Sequence, residues 1–455
     1  MPHRMSHAAH ARAILVLGLP LVGSQIAQFA IGMTDALMLG HYGVEALAAG
    51  TLASTVFFVV LIAGSGFAFA VMPMVAEALG RRDELGARRV MRMGLWASVA
   101  YGVPMTLPLL AGEPLLRLLG QPPEIAALGG DYLGIVAWGL VPALLAFVLR
   151  SHLAAYERTR VVLVATLAAV AVNAALNWVL IFGRLGLPEL GVRGAALASV
   201  AVHLVTVAIL ALYAARTLPG PPLFERLWRP DPEVLRRVVR LGWPIGVTTL
   251  AEVSLFAGGA VMMGWLGAVA LAAHGIAIQL AGLAFMVHLG LSQAATVRAG
   301  AAFGRGDSTH LARGARVIVT MSVGVAVATA ALFVAAPEPL VALFVSDDEP
   351  RRVAILATGA TLLAVAGAFQ IADAAQVMAL GLLRGVQDTA VPMGIAVVSY
   401  LGVGLPAGYA LGFPLGLGGV GVWWGLVIGL SVAAALLMLR FWGYVLPRAE
   451  RPAAA

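Results

Sequence analysis

Hydrophobic residues run through this chain in long stretches that only glycine, proline and charged residues interrupt. Twelve stretches are about 20 to 30 residues long, the length that a helix needs to cross a bilayer. They lie at 13–39, 46–76, 93–112, 127–149, 161–183, 194–215, 241–265, 269–300, 316–336, 353–382, 391–411 and 419–441. The pattern predicts an all-α integral membrane protein with twelve transmembrane helices.

The chain also contains a repeat of its own membrane-spanning pattern. Residues 18–83 align with residues 242–307 at a constant offset of 224, without a gap. The matched pairs include Gly18 with Gly242, Pro20 with Pro244, Gly43 with Gly267, Gly66 with Gly290 and Asp83 with Asp307. A second block resumes at an offset of 230, where Thr159 matches Thr389. A duplicated hydrophobic half is typical of transporters whose substrate site lies at the repeat interface.

The repeat and the arginines together predict the domain organisation. Six helices in 1–215 form an N-lobe, six in 241–455 form a C-lobe, and the polar segment 216–240 links them. Arginines cluster at both termini and in the even-numbered loops, which places both termini and the linker in the cytoplasm. Because each lobe has an even number of helices, the two lobes share one orientation and a pseudo-two-fold axis along the membrane normal.

Composition excludes several classes of function. The chain is 61% hydrophobic and 11% charged, whereas a soluble domain has about 25% charged residues. It has no cysteine, which excludes disulfides and thiolate metal sites. Its net charge of +7 comes from arginines scattered through short loops. We expect these arginines to orient the helices in the membrane, and we expect no nucleic-acid partner. The first stretch resembles a signal peptide but lacks a cleavage site, and we interpret it as an uncleaved helix.

Three acidic residues interrupt the hydrophobic stretches: Asp35, Glu252 and Asp373. A carboxylate inside the bilayer costs at least about 2.5 kcal/mol, so such residues usually serve an ion or substrate pathway. A structural hydrogen bond to a neighbouring helix is the alternative. Asn173 and Asn177 lie four residues apart, hence on one helical face. Their amide oxygens suit a hard cation, although hydrogen bonds between helices would explain them equally well.

Other polar and aromatic residues allow two interpretations each. Histidines in the hydrophobic stretches are either proton relays or packing residues: His203, His274 and His288. Histidines near the N-terminus are either metal ligands or bystanders, and we favour the second: His3, His7 and His10. Aromatic residues of the second stretch either line a cavity for flat cations or pack against neighbours: Phe57, Phe58, Phe67 and Phe69.

Several short motifs carry a resemblance to a known family. They are Thr-Asp-Ala-Leu-Met-Leu-Gly at 34–40, Pro244-x7-Glu252, Gln-Ile-Ala-Asp-Ala-Ala-Gln at 370–376, and Gly-Leu-Leu-Arg-Gly-Val-Gln-Asp-Thr-x-x-Pro at 381–392. The chain resembles the multidrug and toxic compound extrusion (MATE) transporters, specifically the NorM-like branch, over nearly its whole length. The resemblance implies a V-shaped pair of six-helix lobes that exports organic cations in exchange for Na+ or H+.

The resemblance also implies site residues. Glu252 and Asp373 match the acidic pair of the family's C-lobe cation site, and Asp35, Asn173, Asn177 and Ser199 match the N-lobe cluster. Na+ is then the metal ion expected at these residues, and no other cofactor is implied. Phe369 departs from the pattern, because some relatives have a tyrosine whose hydroxyl can contact the cation. Asn177 replaces the aspartate of proton-coupled relatives, which leaves one N-lobe carboxylate and favours Na+.

The predicted protein is a multidrug efflux antiporter and no enzyme. We expect drugs and other organic cations as its substrates, membrane lipids around it, a monomeric state, and the bacterial inner membrane as its location. One alternative is a lipid-linked oligosaccharide flippase of the same superfamily, although such proteins line their cavity with basic residues. An intramembrane transferase would need paired aspartates on a helix face, and the pair Asp347-Asp348 lies instead in an outward loop.

Overall fold

The computed structural model describes residues 5–218 and 225–450, and every regular element in those ranges is helical. Within these described ranges, twelve helices are long and apolar enough to cross a membrane, which confirms the predicted number. We number them α1 His7–Tyr42, α2 Val44–Gly80, α3 Glu84–Leu110, α4 Pro123–Ala155, α5 Thr159–Ile181, α6 Val192–Thr217, α7 Pro232–Trp265, α8 Ala268–Gly304, α9 Ser308–Ala335, α10 Arg352–Gly385, α11 Ala390–Gly412 and α12 Gly418–Ala449. Short helices Gly112–Leu118 and Pro337–Ala342 precede α4 and α10.

Most helices extend beyond the hydrophobic stretches that predicted them. α4 continues past 149 to Ala155, so Arg150 and His152 are helical residues. α7 begins at Pro232, so part of the predicted linker 216–240 belongs to this helix, while residues 219–224 lie outside the described part. Backbone hydrogen bonds continue a helix beyond the hydrocarbon core, whereas the apolar pattern marks only the part in contact with lipid.

The internal repeat is visible in the helix ends. α2 and α8 are both 37 residues long. Asp83 and Asp307 cap the helices that follow, and their side chains accept hydrogen bonds from the backbone N–H of Gly86 at 2.7 Å and of His310 at 2.9 Å. These caps satisfy donors that the first helical turn leaves unpaired. The two sequence blocks therefore fold into the same local structure.

The helices group into two compact units, and the unit boundaries lie inside α1 and α7. Unit 1 comprises the described residues of Met1–Val22 and Val247–Ala455, and unit 2 comprises those of Gly23–Gly246. The units thus differ from the predicted lobes 1–215 and 241–455 in the first turns of α1 and α7. Both boundaries follow an intrahelical proline, Pro20 or Pro244, and proline removes a backbone hydrogen bond and bends a helix.

Glycines allow close packing inside each unit at equivalent positions. In unit 2, Gly66 of α2 lies against the backbone of Gly242 and Gly246 on α7. In unit 1, Gly290 of α8 lies against the backbone of Val22 on α1, where an added Cβ would be 2.5 Å from the Val22 nitrogen. Small residues at such contacts let two helix backbones approach closely. Each long helix therefore packs against the first turns of a helix from the other sequence half.

The residues that directly precede α7 are hydrogen-bonded to α3 within unit 2. The Arg89 side chain donates from Nε to Asp231 at 2.6 Å, and this guanidinium lowers the pKa of the Asp231 carboxyl. The Trp96 indole N–H donates to the Leu227 carbonyl at 2.8 Å. On α7 itself, Arg237 forms an ion pair with the buried Glu77 of α2 at 2.6 Å. The start of α7 is thus held by charged contacts as well as by the glycine packing.

Candidate functional site

The first polar group lies inside unit 2 around Asp35 of α1. Asn173 and Asn177 of α5 donate from their amide nitrogens to Asp35 Oδ1, at 2.8 and 2.5 Å. Their spacing of four residues places them on one face, as the sequence predicts. Ser199 of α6 is hydrogen-bonded to the same carboxyl group. The structure therefore brings together all four residues that the family resemblance assigned to this site.

Sequence reasoning missed a fifth member, Tyr132 of α4. Its side chain is 3% exposed, and its hydroxyl accepts a hydrogen bond from Ser54 of α2 at 3.1 Å. Tyr132 is also hydrogen-bonded to Ser199. A single tyrosine or serine in an apolar stretch gives little signal, and only the packing of α2, α4 and α6 shows that these hydroxyls meet. We call Asp35, Asn173, Asn177, Ser199 and Tyr132 the Asp35 cluster.

The Asp35 cluster combines one carboxylate with several neutral oxygens. Among the described residues, the amide oxygens of Asn173 and Asn177 have no hydrogen-bond partner, although both side chains are fully buried. Rotation of either amide about its last side-chain bond exchanges its donor for its acceptor. The cluster can then offer a carboxylate and two amide oxygens to one ion, and hard cations prefer such oxygen ligands. This donor set fits Na+.

The second polar group lies inside unit 1 around Glu252 of α7 and Asp373 of α10. The charge of Glu252 acts directly on Asp373, whose side chain is fully buried. Tyr400 of α11 interacts electrostatically with both carboxyl groups, and the Arg384 guanidinium interacts with Glu252. The structure therefore brings Glu252 and Asp373 into one neighbourhood, as the resemblance implied. We call Glu252, Asp373, Gln376 and Tyr400 the paired-carboxylate cluster.

Most carboxyl and amide oxygens of the paired-carboxylate cluster lack donors among the described residues. In the described part of the chain, neither oxygen of Asp373 has a hydrogen-bond partner, and Oε1 of Glu252 has none. Gln370 and Gln376 donate through their amide nitrogens while their oxygens stay unpaired. Two carboxylates that are close together in a low-dielectric interior repel each other, so they favour binding of a proton or a metal cation. The arrangement can therefore take up a cation.

Tyr400 enters this cluster from an irregular part of α11. The helix is π-helical over Val398–Gly404, and the buried Tyr400 hydroxyl accepts a hydrogen bond from the Gln376 amide at 2.5 Å. Short π-helical segments frequently occur at functional sites, because the extra residue re-aims a side chain. Gln376 belongs to a motif visible in the sequence, whereas Tyr400 has no such signal. Tyr400 therefore adds a hydroxyl near carboxylates from two other helices.

Aromatic rings pack together around Phe369 of α10. Phe369, one turn before Asp373, is 2% exposed and contacts Phe256 and Trp423 edge-on, at centroid distances of 5.9 and 5.8 Å. The Trp423 indole N–H donates to Nδ1 of His274 at 3.1 Å. Because an indole N–H only donates, this nitrogen of His274 carries no proton. Phe369 thus fills an aromatic cluster, where a phenylalanine contributes packing and no hydroxyl.

The remaining histidine and aromatic candidates are in packing contacts. His288 is fully buried, with Nδ1 at 2.9 Å from the Ser322 hydroxyl, and His203 stacks on Phe57.

Phe67 contacts Tyr101, and Phe69 contacts Phe147, at centroid distances of 5.8 and 5.6 Å. Phe58 is 47% exposed and belongs to none of these pairs. Asp347, the sequence neighbour of Asp348, is exposed and pairs with Arg352 at 3.1 Å. These contacts favour the structural interpretation of His203, His274, His288, Phe57, Phe67 and Phe69, and they do not bear on Phe58.

Residues 20–179 and 244–410 match the family model MatE. The chain belongs to the MatE family. It is 47% identical to the probable multidrug resistance protein NorM of Rhizobium meliloti, over 99% of this chain and 97% of that protein. It is 46% identical to the protein of the same name from Agrobacterium fabrum, over 95% of this chain and 94% of that protein. The resemblance deduced from the motifs is therefore confirmed.

Solved structures support the fold. A multidrug resistance MATE family transporter of the MOP superfamily, solved in an outward-facing conformation, gives a TM-score of 0.87 at 22% identity and covers 97% of each chain. The eukaryotic MATE transporter AtDTX14 gives a TM-score of 0.85 at 18% identity, over 97% of this chain and 98% of that chain. The MatE chain described here is thus a multi-pass membrane protein of a transporter family and no enzyme.

Proposed function

We propose that this protein exports drugs and other organic cations from the cell by antiport with Na+ or H+. Family membership and the multidrug resistance relatives support efflux of many compounds. The paired-carboxylate cluster is the observation that supports coupling of export to an ion. Three of its carboxylate oxygens are buried without donors among the described residues. The Arg384 guanidinium offsets part of the charge of Glu252, and a bound cation or proton would offset the remaining repulsion between the two carboxylates.

The paired-carboxylate cluster would act as the coupling site for the exported substrate. Binding of one cation lowers the repulsion between Glu252 and Asp373, and its release restores that repulsion. Occupancy can then shift the transporter between two conformations, by as much as the ion's affinities for them differ. Tyr400 and Gln376 hold a hydrogen bond beside the carboxylates and can adjust to the occupied and the empty site.

The Asp35 cluster would form a second cation site, with a preference for Na+. Its single carboxylate accepts hydrogen bonds from two amides, and both amide oxygens are buried without partners among the described residues. A proton needs only the carboxylate, whereas Na+ gains from each further oxygen ligand. The amide pair therefore supports Na+ at this site.

The arginine distribution supports a bacterial inner-membrane location with both termini in the cytoplasm. We infer a monomer as the working state, because each half contributes its own interior polar cluster and neither requires residues of a second copy. We infer that membrane lipids surround the protein, because twelve described helices are long and apolar enough to cross a membrane.

Transport into proteoliposomes tests the proposed function. Purified protein is reconstituted, and ethidium movement is followed by fluorescence under a Na+ gradient and, separately, under a pH gradient. We expect gradient-driven movement of ethidium with at least one of the two ions. Movement that is equal with and without both gradients would overturn antiport, and absence of any movement across several organic cations would overturn multidrug export.

A further inference from the structure

The internal repeat places three arginines at equivalent positions in the two units, at and after the junctions of α2 with α3 and of α8 with α9. The offset of 224 that aligns the helices also aligns these residues: Arg81 with Arg305, Arg89 with Arg313, and Arg92 with Arg316. Loop arginines orient helices in a membrane, and both units carry the same three for that purpose. A difference in their contacts therefore comes from their surroundings.

In unit 2, all three arginines have partners within the chain. Arg81 forms an ion pair with Glu77 at 2.5 Å, and Arg89 forms one with Asp231 at 2.6 Å. Arg92 donates to a backbone carbonyl of the segment before α7 at 3.4 Å. Unit 2 thus supplies acceptors for these guanidinium groups itself.

In unit 1, the sequence lacks the equivalent acidic partners. Four acidic residues of unit 2 are replaced at the same offset: Glu77 by Ala301, Glu84 by Ser308, Asp231 by His7, and Glu233 by Ala9. Among the described residues, Arg305, Arg313 and Arg316 form no ion pair. Arg305 and Arg316 are exposed, and Arg313 is half-buried. The second half of the repeat therefore keeps the cations and loses their anions.

The carboxylate that acts on these charges, Asp307, is already engaged as the cap of α9, where it accepts the backbone N–H of His310 at 2.9 Å. Beside it, Arg298 of α8 donates to Nδ1 of His10 at 3.1 Å and to Nε2 of His310 at 3.2 Å. Because a guanidinium only donates, neither of these imidazole nitrogens carries a proton.

The two histidines connect the arginines of this region into one neighbourhood. Their rings lie 4.5 Å apart, between centroids. His10 also interacts electrostatically with Arg313 and the exposed His7, and His310 interacts with Arg305. The region therefore has an excess of positive charge. We call Arg298, Arg305, Arg313 and Arg316 the basic strip.

Aromatic residues at the end of α12 adjoin the basic strip. The Arg316 guanidinium lies over the Trp442 ring at 5.8 Å from its centroid. Two residues further, Tyr444 is 45% exposed, and the Arg448 guanidinium lies over its ring at 3.3 Å. Tryptophan and tyrosine concentrate at the level of the lipid headgroups. A partner for the basic strip is therefore an anion at headgroup depth, which favours a lipid over a soluble anion.

We propose that the basic strip is a docking surface for the headgroup of an anionic phospholipid. Arg313 and Arg316 are three residues apart on α9, hence neighbours on its surface, and bind the headgroup phosphate. The headgroup supplies the negative charge that acidic side chains supply in unit 2. This inference goes beyond the proposed export function and rests on the proposed cytoplasmic orientation of this end, where the membrane surface is negative.

Quenching of tryptophan fluorescence tests the docking surface, because Trp442 lies beside Arg316. Brominated phosphatidylglycerol and brominated phosphatidylcholine are titrated separately into the purified full-length protein in detergent micelles. The signal lost in Trp442→Phe is the contribution of Trp442. We expect a preference for phosphatidylglycerol, measured as the ratio of the two affinities. The double variant Arg313→Gln/Arg316→Gln should lower this ratio by about tenfold or more, because two charges that attract the headgroup are lost.

The repeat supplies a matched control and a variant that adds a partner. Arg89→Gln/Arg92→Gln removes the two equivalent arginines, which have partners in unit 2, and should leave the ratio unchanged. His7→Asp introduces a carboxylate at the position equivalent to Asp231. It should lower the ratio, because this carboxylate competes with the headgroup for Arg313.

Three results would overturn the docking surface. They are an unchanged ratio in Arg313→Gln/Arg316→Gln, an equal loss in the matched control, and displacement of the lipid by glycerol phosphate as readily as by phosphatidylglycerol. The last result would assign the basic strip to soluble anions. If the double variant does not fold, the single variant Arg316→Gln, at an exposed position, decides the same question. Gradient-driven ethidium movement in phosphatidylcholine proteoliposomes reports separately on the proposed function.

Discussion

The Asp35 cluster and the paired-carboxylate cluster belong to halves with the same sequence pattern, yet they are satisfied differently. Asp35 accepts hydrogen bonds from two amides, whereas both oxygens of Asp373 lack a donor in the described structure. One site is a carboxylate already stabilised by neutral donors, and the other is a pair of carboxyl groups without such support. The second site therefore depends more strongly on a bound proton or metal cation.

The two halves of the repeat share their helix-packing contacts but differ in the charged groups of their interiors. Glycine contacts and helix caps recur at the offset of 224, as Gly66 with Gly290 and Asp83 with Asp307 show. The interior acidic position at Glu252 does not recur, because Gln28 stands at the equivalent position of the other half. Backbone contacts tolerate few residue types, whereas an interior polar position can change its ligand with a single substitution.

The largest expected effect is at the paired-carboxylate cluster. Glu252→Gln or Asp373→Asn removes one of the two charges that repel each other, so the driving force for cation uptake disappears. We expect each variant to lose gradient-driven ethidium efflux to background while it remains folded and inserted. Asp348→Asn, in an exposed loop, is the matched control and should transport normally. Full transport by both buried-site variants contradicts the coupling role.

The next effect concerns Asp35, the single carboxylate of its cluster. Asp35→Asn keeps the shape and removes the charge, so we expect substrate release to lose its dependence on ions, with a drop in transport of about tenfold or more. The measurement is efflux from preloaded proteoliposomes at varied Na+ and pH. If ion dependence persists in this variant, the cluster is a structural hydrogen-bond network.

The repeat predicts equal packing effects in the two units. A Cβ at Gly66 or Gly290 would collide with helix backbone, so we expect Gly66→Ala and Gly290→Ala each to destabilise the protein by about 1 to 3 kcal/mol. Thermal unfolding in detergent measures this effect. Gly282→Ala on α8, where an added Cβ meets no atom within 4 Å, is the control. A large effect at only one of the two sites would show that the packing equivalence fails.

The smallest effect is expected at Asn177. Asn177→Ala removes one amide from the Asp35 cluster and leaves the carboxylate, so Na+ dependence should weaken by about two- to tenfold while proton dependence changes little. Transport titrations against Na+ and against pH give the two numbers. Ser199→Ala provides a comparison for loss of a hydroxyl. Unchanged Na+ dependence in Asn177→Ala assigns the amides to helix packing alone.

The sequence by itself determined the number of helices, the repeat and the family. Hydrophobic runs of membrane-spanning length have few alternative folds, because every buried backbone group must find a partner within its own helix. The three acidic residues were identifiable for a related reason, since a carboxylate in an apolar stretch needs a special environment. Asn173 and Asn177 could be placed on one face from their spacing alone.

Only the tertiary structure decided which helices share each cluster. Tyr132 and Tyr400 join the two sites through contacts between helices distant in sequence, and a tyrosine in a hydrophobic run carries no sign of its partner. Arg150 lies one residue beyond the apolar stretch 127–149, and only the structure shows that α4 continues to Ala155 and includes it. Hydrophobicity marks how deep a residue lies, but the direction in which its side chain points depends on neighbouring helices, and the chemistry of a site depends on that direction.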